Sequence, residues 1–86
     1  MKIDFHKDFE KGFLKLTLNQ QKRIDQALEI FENNPHDPQI KNHPLQGDQK
    51  GRRSMAAGGD LRLVFRVENS YERVIFLSVG TYNQVY

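Results

Sequence analysis

Residues 58–80, GGDLRLVFRVENSYERVIFLSVG, decide the fold of this chain. Between Leu61 and Glu68, apolar and polar side chains alternate, which is typical of a β-strand with one buried face. The apolar face of this strand consists of Leu61, Leu63, Phe65 and Val67. A second run of strand-forming residues, Val74 to Val79, follows a polar turn around residues 68–72. Two such runs joined by a short polar turn predict a β-hairpin.

The other face of the first strand consists of Arg62, Val64, Arg66 and Glu68 and is predicted to be basic. Arg62 and Arg66 lie on the same side of it, because side chains in a strand alternate with a period of two. Two unpaired cations are not stable in an apolar core. We therefore expect helices to cover the Leu61 face and to leave the Arg62 face open.

The first 34 residues predict a short edge strand followed by two amphipathic helices. Four apolar residues recur at spacings of four, four and three, which is helical periodicity: Phe5, Phe9, Phe13 and Leu16. Thr17 and Asn19 are suitable N-cap residues for a second helix that ends before Pro35. The apolar face of that helix consists of Ile24, Ala27, Leu28 and Phe31. We expect the two helices to form an antiparallel hairpin on the sheet, with their aromatic residues in the core.

Residues 33–53 differ from the rest of the chain, because they contain all three prolines, two glycines and few apolar side chains. This segment is expected to be a long connection, which is either functional or disordered. A shorter strand at residues 54–57, turning at Gly58 and Gly59, is predicted before the hairpin. The expected fold class is α+β: an N-terminal strand and a two-helix hairpin packed on an antiparallel β-sheet of about four strands, in a single domain spanning residues 1–86.

Composition narrows the class of protein. The 86 residues are 37% hydrophobic and 28% charged, as in ordinary globular domains. The absence of cysteine excludes disulfides, zinc-thiolate sites and a thiol nucleophile, which favours a reducing cytoplasm. No apolar run approaches the roughly 20 residues that span a bilayer, so no membrane partner is expected.

Positive charge is concentrated in the middle of the sequence. The net charge is only +2, but six basic residues lie between positions 41 and 66 against Asp48 and Asp60: Lys41, Lys50, Arg52, Arg53, Arg62 and Arg66. Such a region attracts polyanions, with nucleic acid as the leading candidate. The alternative is a solvated surface without a partner.

Five stretches resemble the RelE/ParE superfamily of bacterial type II toxins, and most closely its RelE and YafQ-like messenger-RNA endonucleases. KIDFHKDFEKGFLKL and QQKRIDQALEIFENNP are similar to the N-terminal helix pair of that family. HPLQGDQKGRRSM resembles its His-x-Leu-x-Gly loop, GGDLRLVFRVEN its Gly-Asp-x-Arg strand, and SVGTYNQVY its Gly-Thr-His-x-x-Val-Tyr ending. These stretches occur in the family's order and at similar spacing.

The resemblance implies a RelE-like fold whose concave face takes messenger RNA in the ribosomal A site. It implies a metal-independent reaction without a cofactor, in which a ribose 2′-oxygen attacks the adjacent phosphate and leaves a 2′,3′-cyclic or 3′-phosphate and a 5′-hydroxyl. That chemistry needs a proton acceptor, a proton donor and cations that stabilise the phosphate charge. The implied partner is an antitoxin in a hetero-oligomer, in a bacterial or archaeal cytoplasm.

The resemblance also implies a set of catalytic residues. Arg62 matches the arginine that faces the scissile phosphate, and His43 matches a loop histidine that acts as acid or base. Asp60 matches an acidic position at the start of the strand, and Tyr86 matches a terminal aromatic residue that stacks on a base or helps to activate the nucleophile. Simpler interpretations remain open: a loop histidine without a role, a turn aspartate and a tyrosine that covers the sheet edge.

Two positions depart from the family pattern. Tyr82 stands where many members have histidine, and Ala56 stands roughly where YafQ-like toxins have another. A phenol is protonated at neutral pH, so Tyr82 is a poor general base, but it can donate a proton or stack and is included in the predicted catalytic set. His43 is then the only imidazole expected near the site, since His6 and His36 are interpreted as surface residues. Either cationic residues and tyrosine carry the reaction, or the activity is weakened.

Four further cations are expected to bind RNA phosphates, namely Lys50, Arg52, Arg53 and Arg66. We also predict that Gly80 lets the chain turn as it leaves the last strand, so that Tyr82 and Tyr86 lie over the basic face beside Arg62. Two alternative functions stay open: a ParE-like toxin that poisons DNA gyrase without cutting RNA, and a catalytically weakened module that only binds its antitoxin.

Overall fold

A computed structural model describes all residues of the chain, Met1–Tyr86, as a sheet with two helices on one face. The strands are β1 Lys2–Phe5, β2 His43–Pro44, β3 Arg53–Ala56, β4 Leu61–Glu68 and β5 Arg73–Thr81. The α-helices are α1 Lys7–Leu14, α2 Leu18–Asn33 and the short α3 Tyr82–Val85. Two short 3₁₀ helices, Pro38–Ile40 and Gly47–Gln49, lie in the connection between α2 and β3.

The five strands form one sheet in the order β1-β5-β4-β3-β2. After the helices the chain enters the sheet at the edge farthest from β1 and returns by an antiparallel meander, so that β5 ends up beside β1 and parallel to it. The predicted α+β fold, with an N-terminal strand and a helix hairpin on a sheet, is confirmed. The sheet has five strands rather than about four and is mixed, because β2 is too short to leave a pattern and the β1–β5 pairing joins distant segments.

Local capping explains where the two long helices begin. The Nδ1 atom of His6 accepts a hydrogen bond from the backbone N–H of Asp8 at the start of α1. At the start of α2, Thr17 and Gln20 form a reciprocal capping box, with distances of 3.0 and 3.1 Å. Neither helix is long and apolar enough to span a bilayer.

Three phenylalanines join the helices to the sheet. Phe31 of α2, Phe65 of β4 and Phe76 of β5 are fully buried, and their ring centroids are 5.2 to 5.3 Å apart. Pairs at this distance contribute about 0.5–1.5 kcal/mol beyond the area that they bury. The predicted apolar faces of α2 and β4 therefore meet in one core.

A β-bulge in β5 interrupts the predicted alternation. Val64 pairs with Ser78 and Phe65 with Phe76, which leaves Leu77 as an extra residue in β5. Phe76 and Val79 consequently both reach the core although they are three residues apart. A bulge of this kind bends the strand and increases its twist.

The connection between α2 and β3 is ordered. Its residue Ile40 is only 1% exposed and belongs to the hydrophobic core. The backbone N–H of Leu45 donates to the carbonyl of Arg52 at 2.9 Å and extends the β2–β3 pairing. The connection is therefore held to the β2–β3 edge of the sheet. This edge borders the free face, which is the face of the sheet that α1 and α2 do not cover.

Substitution of Gly12 tests the contact between α1 and β5. A Cβ atom at Gly12 would lie 2.7 Å from the carbonyl oxygen of Val79, in the backbone of an interior strand. We expect Gly12→Ala to lower the free energy of unfolding by about 1–2 kcal/mol, although alanine favours a helix by about 1 kcal/mol. The measurement is urea unfolding, with the exposed neighbour Lys11→Ala as control, which should change stability by less than about 0.5 kcal/mol. An unchanged midpoint for Gly12→Ala would contradict this packing.

Candidate active site

The strand register brings His43 and Arg62 to the face of the sheet that α1 and α2 leave free. Directly paired residues of neighbouring strands share a face, and their Cβ atoms are about 4.5–5.5 Å apart. One row across the free face consists of His43, Ser54, Val64 and Ser78, and the adjacent row consists of Ala56, Arg62 and Gly80. His43 and Arg62 therefore lie in neighbouring rows.

A pocket of about 440 Å³ lies over these rows. Four of its lining residues belong to the catalytic set predicted from the sequence: His43, Arg62, Tyr82 and Tyr86. The other three come from the segment after β2: Leu45, Gln46 and Gln49. These three residues were not predicted from the sequence, because nothing in the 45–49 segment distinguishes a pocket wall from an exposed loop.

Arg62 is held by the turn between β3 and β4. Its Nη1 atom donates to the carbonyl oxygens of Gly59 and Leu61, at 2.9 and 2.8 Å. No carboxylate pairs with Arg62, since the salt bridges of the chain involve other residues. Its positive charge is not neutralised, and Nε and Nη2 are left for an anionic ligand.

His43 has a defined tautomer. Its Nδ1 atom lies 2.8 Å from the carbonyl oxygen of Lys41. Because a carbonyl oxygen can only accept, Nδ1 must carry the proton of this hydrogen bond. The other ring nitrogen, Nε2, then has a free lone pair when the imidazole is neutral, on an exposed side chain that lines the pocket.

The two tyrosines differ in what their hydroxyl groups do. The Tyr86 hydroxyl donates to Oγ of Ser54, which is fully buried in β3. The Tyr82 hydroxyl has no hydrogen-bond partner in the chain, and this residue is 50% exposed. The rings meet edge to face with centroids 4.6 Å apart. Tyr86 therefore offers a fixed ring, whereas Tyr82 offers a free hydroxyl.

The C-terminal segment is anchored to the sheet and to the 46–50 loop. The backbone N–H of Tyr82 donates to the carbonyl of Asp60 at 2.9 Å, and Nε2 of Gln49 donates to the carbonyl of Val85 at the same distance. Together with the Tyr86–Ser54 hydrogen bond, these contacts make α3 a wall of the pocket.

The predicted role of Gly80 is wrong. Gly80 does not turn the chain but lies inside β5, opposite Arg62, and the strand continues to Thr81. A Cβ atom at Gly80 would lie 2.6 Å from Oε1 of Gln84, the atom that accepts a hydrogen bond from the backbone N–H of Thr81. Gly80 therefore makes room for the side chain that caps α3. The Thr-x-x-Gln pattern at residues 81–84 was the sequence signal for this cap.

Several predicted residues do not line the pocket. Asp60 is exposed in the β3–β4 turn and contributes its carbonyl rather than its carboxylate. Arg53 pairs with the core residue Phe65, which puts it on the opposite face from Arg62, and its Nε atom donates to Oδ1 of Asn42 at 2.8 Å. Ala56, paired with Arg62 in the adjacent row, presents only a methyl group to the free face.

The remaining predicted cations are exposed. Lys50 and Arg52 follow the 3₁₀ helix Gly47–Gln49, whose last residue lines the pocket, and Nη1 of Arg52 lies 3.3 Å from Oε1 of Gln49. Arg66 lies at the far end of β4, 3.4 Å from a carboxylate oxygen of Glu68. Only Lys50 and Arg52 are therefore close in sequence to the pocket wall.

An ion-pair network occupies the far end of the free face. Nε of Arg73 donates to Oδ2 of Asp4 at 2.8 Å, and Glu68 contacts both Arg73 and Arg66. The hydrogen bond and the charge of Asp4, with a smaller contribution from Glu68, raise the pKa of the Arg73 guanidinium above its ordinary value. The predicted basic face is therefore mixed in charge at this end and carries free positive charge at Arg62.

Substitution of Gly80 tests how α3 is held. Gly80→Ala should displace Gln84 and remove its hydrogen bond to Thr81, at a cost of about 1 kcal/mol for a lost cap. We expect faster hydrogen exchange at the amides of Tyr82 and Tyr86 with little change in the core. Asn83→Ala, at an exposed position of α3, is the control. Unchanged protection of the C-terminal amides in Gly80→Ala would contradict the proposed fit.

The structure predicts opposite tautomers for two histidines. His43 should carry its proton on Nδ1, whereas neutral His6 should carry it on Nε2, because Nδ1 of His6 accepts from a backbone N–H. The imidazole ¹⁵N chemical shifts, measured at a pH at which both rings are neutral, distinguish the two forms. An Nε2-protonated His43 would contradict the hydrogen bond to Lys41.

Comparison with known proteins identifies solved structures that share this fold. No family model and no curated protein matches the sequence. Among solved structures, a copper-bound mutant toxin from Helicobacter pylori is 29% identical, with 100% of this chain and 99% of that chain aligned and a TM-score of 0.78. YafQ from E. coli is 23% identical, over 99% of this chain and 97% of that chain, with a TM-score of 0.79, and it has also been solved in the DinJ-YafQ toxin-antitoxin complex.

A third similar structure is a YoeB/ParE toxin from Agrobacterium tumefaciens, which is 20% identical over 94% of this chain and 98% of that chain, with a TM-score of 0.76. In all three cases nearly the whole of both chains is aligned. The resemblance inferred from the sequence is therefore confirmed at the level of the fold: this chain has the fold of the RelE/YafQ-like toxins.

Proposed function

We propose that this protein is the toxin of a type II toxin-antitoxin system and that it inhibits translation by cutting messenger RNA in the ribosomal A site. One observation carries the proposal. The pocket on the free face brings together an unneutralised arginine, an imidazole with a free Nε2 atom and two tyrosines. These are the groups that RNA cleavage by a ribose 2′-hydroxyl requires.

In the proposed reaction the 2′-oxygen attacks the adjacent phosphorus, and the bond from phosphorus to the 5′-oxygen breaks. Nε2 of His43 takes the 2′-hydroxyl proton. The leaving 5′-oxygen takes a proton from the Tyr82 hydroxyl, and the products are a 2′,3′-cyclic phosphate and a 5′-hydroxyl. The proton on His43 then returns to Tyr82 through solvent, which restores the site for another cycle.

Arg62 stabilises the charge that develops on the phosphate. Its Nη1 atom is held by two carbonyl oxygens, so the guanidinium needs little reorganisation when the phosphate binds. A guanidinium presents two parallel N–H groups to phosphate oxygens and stays charged at any pH in the working range. This preorganised charge makes Arg62 the residue on which the proposed reaction depends most.

Tyr86 serves in this proposal as a stacking platform. Its hydroxyl is occupied by Ser54, so its ring orientation is fixed and it is not the proton donor. Stacking of an unpaired base on an aromatic ring contributes about 1–3 kcal/mol. Lys50 and Arg52, exposed beside the pocket wall, bind the flanking phosphates and give a salt-dependent affinity.

The proposed partner is an antitoxin that forms a hetero-oligomer with this chain in a bacterial or archaeal cytoplasm. The likeness to YafQ, which has been solved with DinJ in a toxin-antitoxin complex, supports this assignment. No metal takes part in the proposed steps, because Arg62 provides the positive charge at the phosphate.

Expression without the antitoxin tests the proposal. Wild-type protein should arrest growth and give discrete, translation-dependent cuts in a reporter message, detected by primer extension. Arg62→Ala should reduce cutting by about 100-fold or more, as expected for the loss of one preorganised charge donor at a transition state. Lys22→Ala, which removes one positive charge from the exposed face of α2, should cut like wild type.

Three results would contradict parts of the proposed function. Growth arrest without cuts would mean another target, with DNA gyrase as the first to examine. Normal growth with folded wild-type protein would mean a module that only binds its antitoxin. Undiminished cutting by Arg62→Ala would mean that the reaction takes place elsewhere on the protein.

A further inference from the structure

Asn42, the residue before His43, joins three separate parts of the chain through its side chain. Its Nδ2 atom donates to the carbonyl of Pro35 at 2.9 Å and to the hydroxyl of Tyr71 at 3.0 Å. Its Oδ1 atom accepts from Nε of Arg53 at 2.8 Å. The segment that leads to His43 is thus tied to the turn after α2, to the β4–β5 turn and to the start of β3.

The amide of Asn42 is fully used by these contacts. Both of its N–H groups donate and its oxygen accepts a charge-assisted hydrogen bond from a guanidinium. Asn42 is half-buried and is not a lining residue of the pocket. Its side chain therefore acts on the position of neighbouring residues rather than on a ligand.

Two residues connected to Asn42 have left-handed backbone conformations. Lys41 has φ of 51° and Tyr71 has φ of 73°, although neither is glycine. A bulky residue keeps such a conformation only where its surroundings fix it. The Tyr71 ring packs against Phe31 and His36, with centroid distances of 6.3 and 5.1 Å, and its hydroxyl is fixed by Asn42. The structure thus maintains strain on both sides of the Asn42 amide.

The two groups that define the His43 tautomer flank Asn42 in the sequence. The carbonyl of Lys41 accepts from Nδ1 of His43, so the orientation of the imidazole depends on the backbone of residues 41–43. Strand pairing gives this backbone little support, because β2 has only two residues, His43 and Pro44. Ile40 in the core and the Leu45–Arg52 hydrogen bond anchor the chain on either side, and between them the hydrogen bonds of Asn42 tie residues 41–43 to the body of the protein.

We propose that Asn42, held by Tyr71, Arg53 and Pro35, is the positioning residue for His43: it fixes the backbone of residues 41–43 so that Nδ1 of His43 donates to Lys41 and Nε2 faces the pocket. The structural part of this inference is independent of RNA. Its consequence for cleavage rests on the proposed function. The same contacts give Arg53 a role in the support of the site, instead of the predicted contact with RNA.

The test uses three variants of the full chain. Asn42→Ala removes all three hydrogen bonds, and Tyr71→Phe removes one hydroxyl while it keeps the ring packing. Asn19→Ala, an exposed asparagine on α2, is the matched control. The imidazole ¹⁵N shifts of His43 are measured in each variant without RNA, with His6 as an internal reference, and kcat and KM for cleavage on programmed ribosomes are measured separately.

In Asn42→Ala the His43 signals should move from the Nδ1-protonated toward the Nε2-protonated pattern, and kcat should fall by about 10- to 100-fold, as expected for a catalytic group displaced by about 1 Å. KM should change less than twofold. Tyr71→Phe should change the His43 shifts and kcat in the same direction by a smaller amount. Asn19→Ala should change neither the His43 shifts nor kcat.

A folded Asn42→Ala protein with wild-type His43 shifts would overturn the proposal. If Asn42→Ala does not fold, Tyr71→Phe decides in the same way: a shift toward the other tautomer supports the proposal and wild-type shifts overturn it. A wild-type protein that does not cleave RNA would contradict the proposed function. The role of Asn42 would still be decided by the NMR result, because the tautomer is measured without RNA.

Discussion

The pairing of Arg62 with Gly80, near the end of the two interior strands β4 and β5, is the constraint on which the rest of the structure depends. Leu61 and Leu63, the two neighbours of Arg62 in β4, are buried in the core. Because side chains alternate along a strand, Arg62 must point to the free face. A register shift of one residue would move the charge into the core and the leucines into water. Gly80 lacks a side chain, and the space above it is occupied by Gln84, which caps α3. This single pairing therefore determines which residues of β4 enter the core, where Arg62 lies in the pocket and where α3 forms the pocket wall.

The pocket is assembled from segments that are far apart in the sequence, each held by its own polar contact. Carbonyl oxygens of the β3–β4 turn hold Arg62, and the carbonyl of Lys41 orients His43. The C-terminal segment is held at three points, by Asp60, by Gln49 and by Ser54 beneath Tyr86. Most of these bonds use backbone groups or buried hydroxyls, so the charged and aromatic groups that line the pocket stay free for a ligand.

Local patterns in the sequence predicted a large part of this structure. The alternation of β4, the capping residue Thr17 and the apolar face of α2 predicted the core correctly, because each depends on neighbouring residues. The bulge at Leu77, the parallel β1–β5 pairing and the direction of Arg53 were not predictable in this way, since each is decided by a partner elsewhere in the chain. Gly80 shows the same limit: its neighbours suggested a turn, whereas Gln84 explains it.

In the proposed reaction a ribose 2′-hydroxyl attacks the phosphate in this pocket, and the most direct experiment removes that hydroxyl from the RNA. Purified protein is added to ribosomes programmed with a message that carries a single 2′-deoxy nucleotide at the mapped cleavage position, and the product ends are identified by mass spectrometry. We expect a 2′,3′-cyclic phosphate and a 5′-hydroxyl from the unmodified message and no cut at the deoxy position. Cleavage at the deoxy position, or a product with a 5′-phosphate, would contradict the proposed reaction.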